Sequence, residues 1–230
     1  MRDAKARGVD VTGETCPHYL LFDERAYADL GPIIRVNPPV RERAHQEALW
    51  RGLADGAIDM IATDHAPHTL EEKTRGDIWQ ADCGFPGVET QMGLMLTCVA
   101  AGRLSLSDYV RLSAGAPARA FGLFPTKGAL LPGSDADIAV VDLRREATIT
   151  AAGLHSRGRV TPFEGMRVRG VPVHTLVRGR FVMRDRTLVE DSLGCGRSVA
   201  RIQAMPLPQP RNTDQTLAAV TAATLRHRGA

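Results

Sequence analysis

Residues 58–68 read Ile58-Asp59-Met60-Ile61-Ala62-Thr63-Asp64-His65-Ala66-Pro67-His68. The apolar positions Ile58, Met60, Ile61 and Ala62 form a short run bounded by Gly56 and by a polar cluster, the pattern of a buried strand in a parallel sheet. Asp64, His65 and His68 fall at the C-terminal end of that strand. Parallel α/β architectures carry their working residues there, because the strands themselves fill the core. Carboxylates and imidazoles are the usual ligands of zinc and similar divalent ions. Asp64 and His65 are consecutive, however, and on an extended backbone they point to opposite faces, so at most two of the three residues face one ion. Spacing alone leaves metal or catalytic duty and a loop-structuring role equally open.

On the N-terminal side, residues 41–55 place Ala44, Ala48, Leu49 and Leu53 near helical spacing, with Gly56 as a stop. Before them, Asn37-Pro38-Pro39 predicts a stiff loop, since two prolines do not fit a central strand. Val9, Val11 and Thr15 predict a strand that ends at CPHYLLF, with Asp23 as cap of a short helix over 24–30. Residues 1–7 read as the last turns of a helix stopped by Gly8. Strand, helix, strand in this order is the unit of a parallel sheet or (β/α) barrel.

On the C-terminal side, residues 69–86 read as a long polar loop, of the kind that often forms lids. Residues 89–101 predict a helix that is apolar nearly all round. Ser107 is read as the cap of a further helix, and Pro117 as the first residue of a short one. From Lys127 the texture changes to short strands and turns. Residues 138–143 form one strand, and 171–177 with 181–183 a hairpin about Arg178-Gly179. The boundaries are therefore set at 1–125, 126–190 and 191–230, the last an extended arm with Pro206, Pro208 and Pro210.

Composition excludes several classes. The 29 basic and 26 acidic residues of the 230 leave a charge of +3 with no basic stripe, so nucleic-acid binding has no support. Cys16, Cys83, Cys98 and Cys195 lack paired spacing and suit reduced thiols in a cytoplasmic protein. The apolar stretch 92–101 is short of the ~20 residues a bilayer requires, and the charged N-terminus has no apolar signal region. No membrane role is expected.

Other residues invite two readings each. His18, at a predicted strand end, is either a functional imidazole or one hydrogen-bonded beneath the strand ends, and the absence of a carboxylate neighbour in sequence favours the second. Asn37 has a side-chain amide suited to a substrate carboxylate or amide, and also to turn chemistry. Glu71, Glu72 and Lys73 read as a solvated patch. The backbone at Pro86-Gly87 can approach a ligand closely or simply turn. Cys98 reads as core.

Taken together, ETCPHYL (14–20), NPPVRE (37–42), IATDHAPHTLEEK (61–73), GFPGVET (84–90) and LVRGRFV (176–182) resemble, in order and spacing, the C-terminal half of cyclic amidohydrolases of the dihydroorotase, allantoinase and hydantoinase group. The TDHAPHTLEEK and GFPGVET segments look most like dihydroorotase, whereas CPHYL and TPFEG are shared with allantoinases. The resemblance implies the last part of a (β/α)8 barrel plus a small flanking β-sandwich domain. It implies that Asp64 ends the eighth strand, binds one metal of a binuclear zinc centre and accepts the proton of a metal-bound hydroxide. It also implies that Asn37, His68 and the Pro86-Gly87 backbone hold a small cyclic amide, dihydroorotate in the first instance, with allantoin or a hydantoin as alternatives, in a homo-oligomeric parent.

The other ligands of that family, an HxH pair, a carboxylated lysine or an aspartate, and two further histidines, have no counterpart in these motifs. The expectation is accordingly that the polypeptide alone is inactive, as part of a longer or split enzyme. The alternative from another class is a non-catalytic assembly subunit.

Overall fold

The structure, a computed structural model, describes residues 1–199. The prolines at 206, 208 and 210 of the expected extended arm lie outside the described residues. Helix α1 (Arg2–Ala6) is followed by Gly8 in the left-handed conformation, φ 76°. Strand β1 (Glu14–Thr15) pairs in parallel with β2 (Met60–Ile61), Glu14 opposite Met60 and Thr15 opposite Ile61. Both residues of β2 are buried, as its apolar run requires.

Between these strands lie α2 (Pro17–Leu21), α3 (Ala26–Leu30), a 3-10 turn (Gly31–Ile34) and α4 (Arg43–Ala54). The strand expected to reach CPHYLLF is therefore replaced after Thr15 by a helix. Pro17 sits in the first turn of α2, where its fixed φ and missing N–H cost nothing, and Trp50 Nε1 of α4 donates to the Leu20 carbonyl at 2.9 Å. Asp23 does not cap a helix side-on; its carboxylate takes the backbone N–H and guanidinium of Arg25 instead.

Helix α5 (Leu70–Thr74) corrects the expectation of a structureless loop over 69–86. Thr69 and Glu72 form a reciprocal capping box, satisfying two N–H groups that the helix start leaves open. Lys73 corrects the expectation of a solvated patch. It is fully buried, because the single turn of α5 points it inward to donate to the carbonyls of Arg35 and Asp82, each at 2.8 Å.

Helix α6 (Gln91–Ala100) joins two hydrophobic clusters, Met95, Leu96 and Cys98 packing with Leu20, Trp50 and Ile61, and Leu94 packing with Ile34, Phe85 and Phe163. This is why its sequence is apolar nearly all round. Helix α7 (Leu106–Val110) is capped by Ser105, whose Oγ accepts from Asp108 N, rather than by Ser107. Helix α8 (Ala116–Ala120) has Pro117 in its first turn.

Strands β3 (Ile138–Thr148), β4 (Arg167–Val177), β5 (Arg180–Arg184) and β6 (Thr187–Leu188) form one antiparallel sheet in that order. The hairpin turn falls on Arg178-Gly179, with φ of 48° and 78°, both positive as a type I′ turn requires. Among the described residues there is no second sheet facing this one, in contrast to the expected sandwich. Helix α6 takes that place on β4. Gly170 lets it approach, since a Cβ there would lie 2.7 Å from Leu96 Cβ, and Thr97 Oγ1 accepts from Arg169 N at 2.8 Å. Among the described residues no helix is long and apolar enough to cross a membrane.

Candidate active site

Asp64 follows β2 with φ 48°, a left-handed conformation that an aspartate tolerates better than a branched residue. The chain thus turns at the strand end and leaves the carboxylate 42 % exposed. It lines a cavity of about 810 Å³ together with Thr15, Cys16, Tyr19, Asn37 and Glu14. Two of the residues singled out in the sequence, Asp64 and Asn37, are brought together here. His68, Pro86 and Gly87 are not among the residues lining this cavity.

Asn37 is placed by its neighbours. Tyr19 Oη donates to the Pro38 carbonyl at 2.8 Å, Val40 N donates to Tyr27 Oη at 3.1 Å, and the Arg35 carbonyl receives both Lys73 Nζ and Gly84 N. Side chains from α2, α3 and α5 therefore hold the Asn37 loop, and the sequence offered no signal for Tyr19 or Lys73 in this role.

His18 is 1 % exposed and its Nε2 has no hydrogen-bond partner. Burial holds its pKa down at about 4, so the ring is neutral at pH 7. Its Nε2 stands 3.9 Å from Asp64 Oδ2, too far for a hydrogen bond, and a neutral ring makes no ion pair. The expected hydrogen-bonded imidazole is thus an unpaired one directed at the site carboxylate. Thr15 Oγ1, also buried, is the second unpartnered polar atom of this region. Burial and the nearby Asp64 charge push the Cys16 thiol up to about 12, which keeps it protonated.

His65 Nδ1 is taken up by backbone amides. Its Nδ1 accepts from Gly87 N at 3.1 Å and Val88 N at 3.3 Å, and Ala66 N donates to the Phe85 carbonyl. The 84–88 segment is thereby strapped to the strand-end loop, a role for which GFPG was the only signal. Gly87 is required sterically: a Cβ there would lie 2.4 Å from the Thr63 carbonyl oxygen. Gly87→Ala must push back the residue preceding Asp64, and overpacking of this kind costs about 1–3 kcal/mol. The expected result is a lowered urea midpoint for Gly87→Ala; an unchanged midpoint would show that the strap yields freely.

Comparison with known proteins gives this geometry a context. Residues 5–182 match the model of the amidohydrolase family. The chain belongs to the amidohydrolase family. This amidohydrolase chain is 40% identical over 211 residues to a D-phenylhydantoinase of Escherichia coli O1:K1 / APEC, an alignment covering 90% of the chain and 46% of that protein. It is similar to an L-hydantoinase (dihydropyrimidinase) from Arthrobacter aurescens, with 39% identity and a TM-score of 0.79 over 81% of this chain and 42% of that one. The dihydropyrimidinase from Brevibacillus agri NCHU1002 shows 34% identity and a TM-score of 0.83 over 90% of this chain and 46% of that one. The amidohydrolase chain thus spans about half the length of the relatives it matches, and shares their α/β fold of TIM-barrel type. These relatives carry hydantoinase and dihydropyrimidinase names rather than the dihydroorotase name that the TDHAPHTLEEK segment suggested.

Proposed function

We propose that this chain contributes the Asp64 end of the active site of a cyclic-amide hydrolase of the hydantoinase and dihydropyrimidinase type, residues 1–125 being the C-terminal part of its barrel and 126–190 part of a flanking β-domain. The observation that carries this reading is the cavity shared by Asp64 and Asn37 at the end of a buried parallel strand. In ring opening, water adds to the ring carbonyl and the C–N bond breaks. Asp64 is assigned the proton of the attacking water, which it hands to the departing amide nitrogen. Asn37 holds an amide or carboxylate of the ring through hydrogen bonds, and the Pro86-Gly87 turn supports the loop carrying Asp64 through His65 and Thr63.

A zinc ion takes four ligands, at least three of them from protein. The Asp64 carboxylate and the unpaired Nε2 of His18 lie 3.9 Å apart, Glu14 lines the same cavity, and Cys16 is held as a thiol. These residues do not by themselves fit a binuclear zinc centre.

The test is turnover of a 5-substituted hydantoin, dihydrouracil, dihydroorotate and allantoin by the protein as its source cell makes it, isolated with any chain that co-purifies. Preference for the hydantoin or dihydrouracil is expected, with Asp64→Asn slowing it roughly 10²–10⁴-fold, the usual worth of a positioned proton acceptor. Preference for dihydroorotate would overturn the substrate assignment, full activity of Asp64→Asn would overturn the role of that residue, and no turnover of any substrate would leave the non-catalytic subunit as the reading.

A further inference from the structure

Beside the strap, and apart from the Asp64 cavity, His68, Glu72 and Asp82 each bring one potential ligand atom to within 4.8 Å of the others. The three are half-buried, so the group is reachable from solvent. From this juxtaposition we propose a second, independent site that binds a divalent cation of the zinc kind through His68 Nδ1 and the carboxylates of Glu72 and Asp82.

The tautomer of His68 carries the argument. Its Nε2 lies 3.1 Å from the Cys83 carbonyl oxygen, and a carbonyl only accepts, so Nε2 bears the proton. In the neutral ring Nδ1 is then a bare lone pair, and it faces Glu72 Oε2 at 3.6 Å. An imidazole nitrogen and a carboxylate oxygen so placed form a pair that a cation can bridge. An imidazole whose other nitrogen donates to a backbone carbonyl is also the usual form of a zinc ligand, with ring orientation and basicity set by that second bond. Ligand atoms at zinc distances of 2.0–2.2 Å stand about 3.3–3.5 Å apart in a tetrahedron. His68 Nδ1 and Glu72 Oε2, at 3.6 Å, stand just beyond that range, and all three ligand atoms, within 4.8 Å of one another, have only to draw in.

The donors are held by bonds that leave each residue a coordinating atom. Thr69 N and Oγ1 both donate to Glu72 Oε2, which fixes the carboxylate and leaves Oε1 open. Asp82 is tied through its backbone, its N–H to the Glu72 carbonyl at 3.1 Å and its carbonyl to Lys73 Nζ at 2.8 Å. Lys73 directs its charge at carbonyls beneath the site. With water completing the coordination, the cation would join α5 to the end of the 75–83 loop and so brace the segment that leads into the strap.

The experiment is zinc titration of the metal-stripped full chain against a chromophoric chelator, with far-UV circular dichroism confirming that each variant is folded. Zinc binding at one equivalent per chain is expected, weakened at least tenfold by Asp82→Asn and by Glu72→Gln, which keeps a residue able to form the capping box, and unchanged by Asp64→Asn. Zinc should also raise the melting temperature of the wild type and not that of Asp82→Asn. Absence of binding, equal binding by wild type and both variants, or loss of binding in Asp64→Asn alone would overturn the proposal. The last outcome would place the metal in the Asp64 cavity and leave the reading of that cavity standing.

Discussion

Lys73→Ala lowers the stability of the fold by about 2–5 kcal/mol, the range for emptying the space of a long buried side chain. The residue is wholly enclosed and its ammonium serves two carbonyls, those of Arg35 and Asp82, which belong to segments 47 residues apart in sequence. Without it both acceptors are left unpaired, each at about 1–3 kcal/mol. Burial of the ammonium holds its pKa down at about 8, so the charge itself is costly, and Lys73→Met, which relieves that cost and keeps the volume, falls between wild type and alanine. Urea unfolding of the three proteins provides the measurement. Amide exchange gives a local readout: Gly84 N, which donates to the same Arg35 carbonyl, exchanges faster in both variants. Equal stability of all three would mean that the two carbonyls find other partners and that Lys73 is not the pin of the Asn37 loop.

Acidification exposes the second effect. His18 has a folded pKa of about 4 because it is buried, against about 6.5 when unfolded. Between these values the unfolded chain binds the extra proton and the folded chain does not, so stability rises with pH across the window. The contribution is complete above pH 6.5 and is lost as pH falls toward 4, amounting to on the order of 3 kcal/mol for a buried imidazole with no screening solvent. His18→Gln removes the titration. Its stability relative to wild type should therefore improve steadily as pH drops from 6.5 to 4, and a constant difference over that range would refute the assignment of a neutral buried ring.

Much of the candidate site's placement was legible in local sequence. The run over 58–62 announced a buried strand because an unbroken apolar stretch of that length bounded by glycine and polar residues has few other uses. Asp64 followed from its place at the strand's end. Asn37 was marked by the two prolines that stiffen its loop, and the Arg178-Gly179 hairpin by a turn that only certain residues adopt. Helix α5 was missed because a single turn has no periodicity to detect, although Thr69 and Glu72 carried the spacing of a capping box. The helix at CPHYLLF was missed because β-branched alternation was extended past Pro17, a residue that opens helices as readily as it ends strands.

By itself the sequence determined the strand-end placement of Asp64, the stiff Asn37 loop, the change of texture near residue 125 and membership of the amidohydrolase family, all of which depend on neighbours in the chain. Only the tertiary structure decided that Lys73 is a buried pin rather than a surface charge, that His18 stands unpaired opposite Asp64, that His65 is spent on the backbone of Gly87 and Val88, and that His68 faces Glu72 and Asp82. Each of these is settled by partners 4 to 46 residues distant, whose side chains meet through burial and hydrogen bonding that no local pattern of residue types encodes.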